Sequence, residues 1–109
     1  MDEPRRVELF DEDGLRVWAR MGTAGAVVIS GQHLRRAQDG RPYEHEYALT
    51  VAPPDVPRLV TALSGGRPPS GDVLDLLEEH GQEFVRTGEH TWLGRHGIDP
   101  DLWTRMDWD

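Results

Sequence analysis

The hydrophobic pattern changes period at Pro53-Pro54. Before the prolines, Tyr47, Leu49 and Val51 alternate with Glu46, Ala48 and Thr50, which sets one apolar row on one face of a strand. After them, Val56, Leu59, Val60 and Leu63 recur at i, i+3, i+4 and i+7, the stripe of a helix lying on a sheet. The two prolines lack backbone donors and press the preceding residue into extended geometry, so they end the strand. Asp55 is the predicted cap of the helix that follows, with Pro57 tolerated in its first turn.

Upstream, the period of two recurs. Val7 and Leu9, extending to Phe10, make a first strand that stops at Asp11-Glu12-Asp13-Gly14, whose Asp-Gly ending signals a hairpin. In the second strand Leu15, Val17, Ala19 and Met21 alternate with Arg16, Trp18 and Arg20, so an aromatic stands between two guanidiniums on the face opposite the aliphatic row. Gly22 to Gly25 turns into a third strand, Ala26 to Ser30, rich in β-branched residues. The polar stretch Gly31 to Pro42 reads as a long connection to the strand beginning at Tyr43. Downstream, Ser64 to Gly71 is a linker in composition. Asp72, with Asp75 in the first turn, is placed to cap a second helix along Val73, Leu76, Leu77, His80 and Phe84. Gly81 either stops that helix or sits inside a longer one ending at Thr87-Gly88, at a cost of about 1 kcal/mol. Glu89 to His96 is a short helix closed by Gly97, and Asp99-Pro100 predicts a last short helix bearing Leu102, Trp103 and Met106. The expected fold is α+β, a four-stranded antiparallel meander followed by three to four helices packed on one face. It forms a single domain over 1-109, with 1-51 as sheet and 55-109 as the helical part.

Composition narrows function by exclusion. At 109 residues the chain is long enough for one core. Without cysteine it has no disulfide, thiolate nucleophile or thiolate metal site, which suits a reducing, cytoplasmic setting. MDEPRRVELF has no apolar leader core, and no run approaches a membrane span, so no membrane partner is expected. The net charge of -8 is uneven: residues 1 to 67 hold ten Asp/Glu against nine Arg, and residues 68 to 109 hold ten against three. That balance argues against nucleic acid and for a basic protein partner, beside the plainer account of acidic helices as solvated faces. All basic side chains other than histidine are Arg.

Candidate chemistry is sparse. Gly22-Thr23-Ala24-Gly25 precedes a strand instead of opening a helix and has no accompanying Lys, so it is a hairpin turn and not a phosphate loop. His80, His90 and His96 lack the spacing of a helical metal pair; surface positions near helix ends explain them, and neither metal nor cofactor is expected. Glu44 and Glu46 share a strand face about 7 Å apart with His45 on the other, an arrangement open to acid/base work or to cross-strand pairing with Arg16 and Arg20. No nucleophile elbow or assembled triad is visible, so catalysis is not expected. Trp18 beside its arginines is the better lead, because Trp and Arg are enriched at interface hot spots. Trp92, Trp103 and Trp108 are expected to cover an open edge of the core.

Strands first, helices last, acidic, without cysteine and closing on TWLGRHGIDPDLW, the chain resembles small uncharacterised proteins of actinobacterial type. In size and charge it is similar to immunity proteins that neutralise toxins. The resemblance implies a binding role without catalysis and carries over no residue. The acidic balance of the helical part extends this to an immunity or antitoxin-like inhibitor docking on a basic partner, with the second-helix acids Asp75, Glu78, Glu79 and Glu83 meeting its cationic groups and Trp18 or Trp103 as apolar anchor. The alternative is a small enzyme or ligand-binding protein using a cleft between sheet and helices, with Glu44, His45 and Glu46 at its mouth.

Overall fold

The structure, a computed structural model, describes residues 5–69 and 71–108. Ser70 of the expected linker lies outside the described residues. Five strands, β1 (Arg6–Glu12), β2 (Leu15–Met21), β3 (Val27–Arg36), β4 (Pro42–Val51) and β5 (Asp101–Trp108), form one antiparallel sheet in the order β1-β2-β3-β4-β5. Three helices, α1 (Val56–Leu63), α2 (Val73–Thr87) and α3 (Glu89–Arg95), stand between β4 and β5 in the chain and cover one face of the sheet.

The local signals produced the early elements. Asp13 and Gly14 both take positive φ, 54° and 79°, the conformation a two-residue hairpin requires and that asparagine-like residues and glycine tolerate. Val17, Ala19, Val27, Ile29, Leu49 and Val51 are buried, and Leu59, Leu77, Phe84 and Leu93 close over them from the helical side. Asp72 accepts from the Asp75 amide at 2.9 Å while Asp75 accepts from the Asp72 amide at 3.0 Å, a reciprocal capping box that starts α2. At α1, Pro53–Asp55 forms a 3-10 turn and the Asp55 side chain makes no capping bond.

The expected meander of four strands is corrected to five. The stretch predicted as a last helix is β5, paired with β4 from Thr50↔Asp101 to Tyr43↔Trp108 without a break. Leu102, Trp103 and Met106 carry a helical spacing, but Leu102, Thr104, Met106 and Trp108 also fall on one side of a strand, with Trp103, Arg105 and Asp107 on the other. The free edge of β4 decides between them, since a strand there exchanges ladder hydrogen bonds that an isolated two-turn helix cannot match. Asp99-Pro100 lies in the irregular segment that leads into that strand, and a proline there disfavours helix at the residue before it. The tail expected among the helices therefore belongs to the sheet, and the described residues form three α-helices. The connection expected over Gly31 to Pro42 is also shorter: β3 runs on to Arg36 and pairs through His33↔His45 to Arg36↔Pro42.

The helical layer is registered on β1. Arg5 bonds Asp72 and Asp75 at the start of α2, and Arg86 near its end bonds Glu12 at 3.0 Å, so α2 runs along β1 tied at both ends. Between the ties the β1-β2 register shifts between Glu8 and Phe10, leaving Leu9 as a bulge. Gly81 sits inside α2 against that bulge, where a Cβ would lie 2.8 Å from the Leu9 Cα. The glycine that weakens the helix locally is what lets it reach the sheet. Gly81→Ala gains about 1 kcal/mol of helix propensity. It also forces α2 off Leu9, at about 1–3 kcal/mol for overpacking. The expected net result is lower stability, read as a lower urea midpoint with an unchanged m-value; a raised midpoint would show that the contact does not constrain the layer.

Candidate functional site

The sheet is open on the face away from the helices. Register pairs Trp18↔Ser30, Ser30↔Ala48 and Ala48↔Trp103, so two indoles bracket two small residues in one row across four strands. At about 4.8 Å per strand spacing the indole-bearing backbones lie about 14 Å apart. Between them is a shallow trough of about 210 Å³. The next row, Arg16-Gln32-Glu46-Arg105, forms its polar rim. Gln32 Nε2 donates to Glu44, and Arg105 donates to Glu46 at 3.1 Å. The Arg6 guanidinium lies 4.5 Å over the Trp18 ring and that of Arg105 6.0 Å from Trp103, so each indole keeps a cationic neighbour. Trp103 is 52% exposed.

The acids of α2 lie in the helical layer, across the sheet from this face. Asp75 is committed to the capping box and to Arg5, whose hydrogen bond holds the Asp75 carboxyl below its usual value. Glu78, Glu79 and Glu83 are exposed, and none joins an ion pair among the described residues. The six residues singled out from sequence thus divide into two surfaces. Trp18 and Trp103 share one; the four acids are on the other.

The remaining candidates do not converge. Glu44 and Glu46 sit on the open face and His45 on the helix side, where its ring is 5.9 Å from that of Tyr47. Glu46 pairs with Arg105 and not with Arg16 or Arg20; Arg16 reaches Glu8 instead, at 3.4 Å. His80 and His96 line one hollow with Glu83 and Trp92, and His90 lies outside it. Among the described residues no group of three His, Asp or Glu gathers to hold a metal ion. A larger hollow of about 470 Å³ lies between α1 and α2, lined by Arg67, Glu79 and His80 among others, but it brings no buried polar group to a point. No helix among the described residues is long and apolar enough to cross a membrane. Trp92 is buried edge-on to Phe84 at 5.1 Å, whereas Trp103 and Trp108 lie exposed on β5 and do not cover the core.

One polar contact escaped the sequence altogether. Tyr47 folds across Gly31, its partner on β3, where any Cβ would collide with the ring. Its hydroxyl donates at 2.6 Å to Glu89 Oε2 at the start of α3. Glu89 is the buried charged side chain of the described core. Burial raises the Glu89 carboxyl above its usual value, opposed by the hydrogen bond from Tyr47, and burial first and Glu89 second raise the Tyr47 phenol. An isolated glycine inside a strand pattern was the available signal, since it marks a close approach; nothing in the sequence named Glu89.

No protein-family model matches the chain, and no curated protein or solved structure matches it.

The Glu89 shift fixes a sign. Because the folded state holds this proton more tightly than the unfolded one, the Glu89 contribution to stability is fully present below the ordinary glutamate value of 4.5 and is lost as pH rises through the raised folded value. Glu89→Gln keeps an acceptor for Tyr47 and is expected to flatten that fall. Tyr47→Phe removes the opposing hydrogen bond, raises the carboxyl further and steepens it, with a loss of about 1.5–3 kcal/mol at neutral pH. Urea melts of the three proteins at acid and neutral pH, read beside a carboxyl NMR titration, check both; parallel pH profiles would exclude Glu89 as the group responsible.

Proposed function

We infer that the chain is a protein-recognition module, with the open sheet face as its docking surface and Trp18 and Trp103 as its anchors. The observation that carries this reading is the single row Trp18-Ser30-Ala48-Trp103. Two rigid aromatics flanking a shallow floor of two small residues, with hydrogen-bonding side chains along the rim, match the make-up of an interface centre. A small-molecule site would instead enclose its ligand, and the trough is open. Among recognition roles, inhibition of a basic protein by occlusion, as immunity proteins do to toxins, is supported by the net charge of -8. Overall charge favours encounter with a cationic partner; the indoles hold the complex once it has formed.

The two contributions separate kinetically. Against a cationic protein that the native chain binds, Trp18→Ala or Trp103→Ala is expected to weaken binding by about thirtyfold or more, the hot-spot threshold, mainly through faster dissociation. Replacing Glu78, Glu79 and Glu83 by Gln is expected to leave dissociation unchanged and to slow association only at low salt. Surface plasmon resonance reads both rates. Unaltered dissociation in both tryptophan variants, with their folds intact by circular dichroism, would remove the open face from the interface.

A further inference from the structure

The two edges of the sheet are built differently. At β1 the ladder is interrupted by the Leu9 bulge, and α2 lies along the strand, ion-paired to its start and end. Bulges and covering elements are how a sheet keeps its edge from pairing with another chain. At β5 neither is present among the described residues. The strand runs eight residues in unbroken register with β4, contains no proline or lysine, and is exposed at every position. Its outer side carries the ladder donors and acceptors that β4 does not use. Large apolar side chains are exposed on both of its faces: Leu102 (59%), Met106 (59%) and Trp108 (48%) on the helix side, and Trp103 on the open side.

We propose that β5 pairs antiparallel with β5 of a second copy about a two-fold axis through Thr104, joining two sheets into one of ten strands. A two-fold axis perpendicular to the sheet keeps faces matched, so each residue opposes one of the same face and the sequence itself selects the register. Centred on Thr104, Leu102 opposes Met106 of the second copy on the helix side, and Trp103 opposes Arg105 on the open side, each pair occurring twice. Apolar groups meet apolar groups, and a guanidinium meets an indole. A centre at Arg105 sets two guanidiniums face to face. A centre at Met106 leaves Leu102 and Trp103 beyond the paired segment, and one at Trp103 does the same to Met106 and Trp108. The Thr104 register places Asp101 opposite Asp107 at its solvated ends. That repulsion is blunted because Asp107 already pairs with Arg105 on its own strand at 3.0 Å.

The chain has no cysteine, so a single one reports the register. In an antiparallel pair directly opposed Cα atoms lie about 4.5–5.5 Å apart, within disulfide range. Thr104→Cys is therefore expected to oxidise to a covalent dimer under mild air oxidation, and Ala37→Cys, in the β3–β4 turn, is not. By light scattering after size exclusion, the native chain is expected at the mass of two chains. Met106→Lys, which sets a cation opposite Leu102, is expected at the mass of one, with an unchanged circular dichroism spectrum because Met106 packs on little of its own chain. A native protein that remains a single chain at millimolar concentration overturns the proposal, including one that instead takes up an added extended peptide along β5. A dimer that survives Met106→Lys and fails to link through Thr104→Cys places the contact elsewhere and overturns it equally. Met106 faces the helix side and Trp18 stands on β2, so these outcomes are separate from that of Trp18→Ala, whereas Trp103, which opposes Arg105 of the second copy, bears on both readings.

Discussion

Three short helices cannot cover the sheet they pack on, and the surface chemistry of the molecule follows from where the cover stops. The fifteen residues of α2 span about 22 Å, while ten-residue β3 and β4 reach about 33 Å. On the helix side the core therefore ends partway along the strands, at the row Val17-Gly31-Tyr47-Thr104. Tyr47 lies over Gly31 there, and its hydroxyl is held by Glu89 from the helical layer. Beyond this row Leu15, His33, His45 and Met106 are partly or wholly exposed on the same side. A buried carboxylate costs several kcal/mol in desolvation unless it is well bonded. Placing one at this margin specifies which residues close the core, at some loss of stability whenever it ionises.

What the sequence shows well is what neighbouring residues decide. The period of two in β1 and β2, the Asp13-Gly14 turn and the Asp72 capping box are all settled within a few residues, and each formed where its pattern predicted. Features set by distant partners were less legible. Gly81 reads from sequence as a choice between helix end and helix defect, and only the Leu9 bulge shows why it is retained within α2. The tail from Asp101 has two acceptable periods, and the vacancy beside β4, formed by residues some fifty positions earlier, selects the strand. β3 also extends past Ser30: Gln32 to Arg36, polar but for Leu34, pair along β4 even though no hydrophobic alternation marks them as strand.

The candidate site was legible in part. Trp18 stood out because it broke its strand's alternation on the polar side, and that inference needs only the period of the strand itself. Trp103 was singled out on a predicted helix, for its size. Its position in the Trp18 row follows from three registers, β2 to β3, β3 to β4 and β4 to β5, none of which the sequence displays. The Tyr47–Glu89 contact joins residues 42 positions apart and was legible only as a glycine where a strand would prefer a side chain.

Moving the tail into the sheet also redistributes the charge that first suggested a basic partner. Over residues 53 to 99 the helical layer holds eight Asp/Glu against four Arg, a weaker excess than the ten against three of residues 68 to 109. Of those eight, Glu89 is buried, and Asp72 and Asp75 face Arg5. What remains concentrated is Glu78, Glu79 and Glu83 on two turns of α2, across the sheet from the indoles. The shortest dimension of the molecule is 22 Å, against a Debye length of about 8 Å at physiological salt. At that ionic strength the acids and the tryptophan row are electrostatically separate surfaces, and the charges beside the row are paired, Arg16 with Glu8 and Arg105 with Glu46. On the proposed reading, selectivity on the open face comes from the shape between two indoles and from the hydrogen bond of Gln32 to Glu44 along its rim, with net charge acting only on encounter.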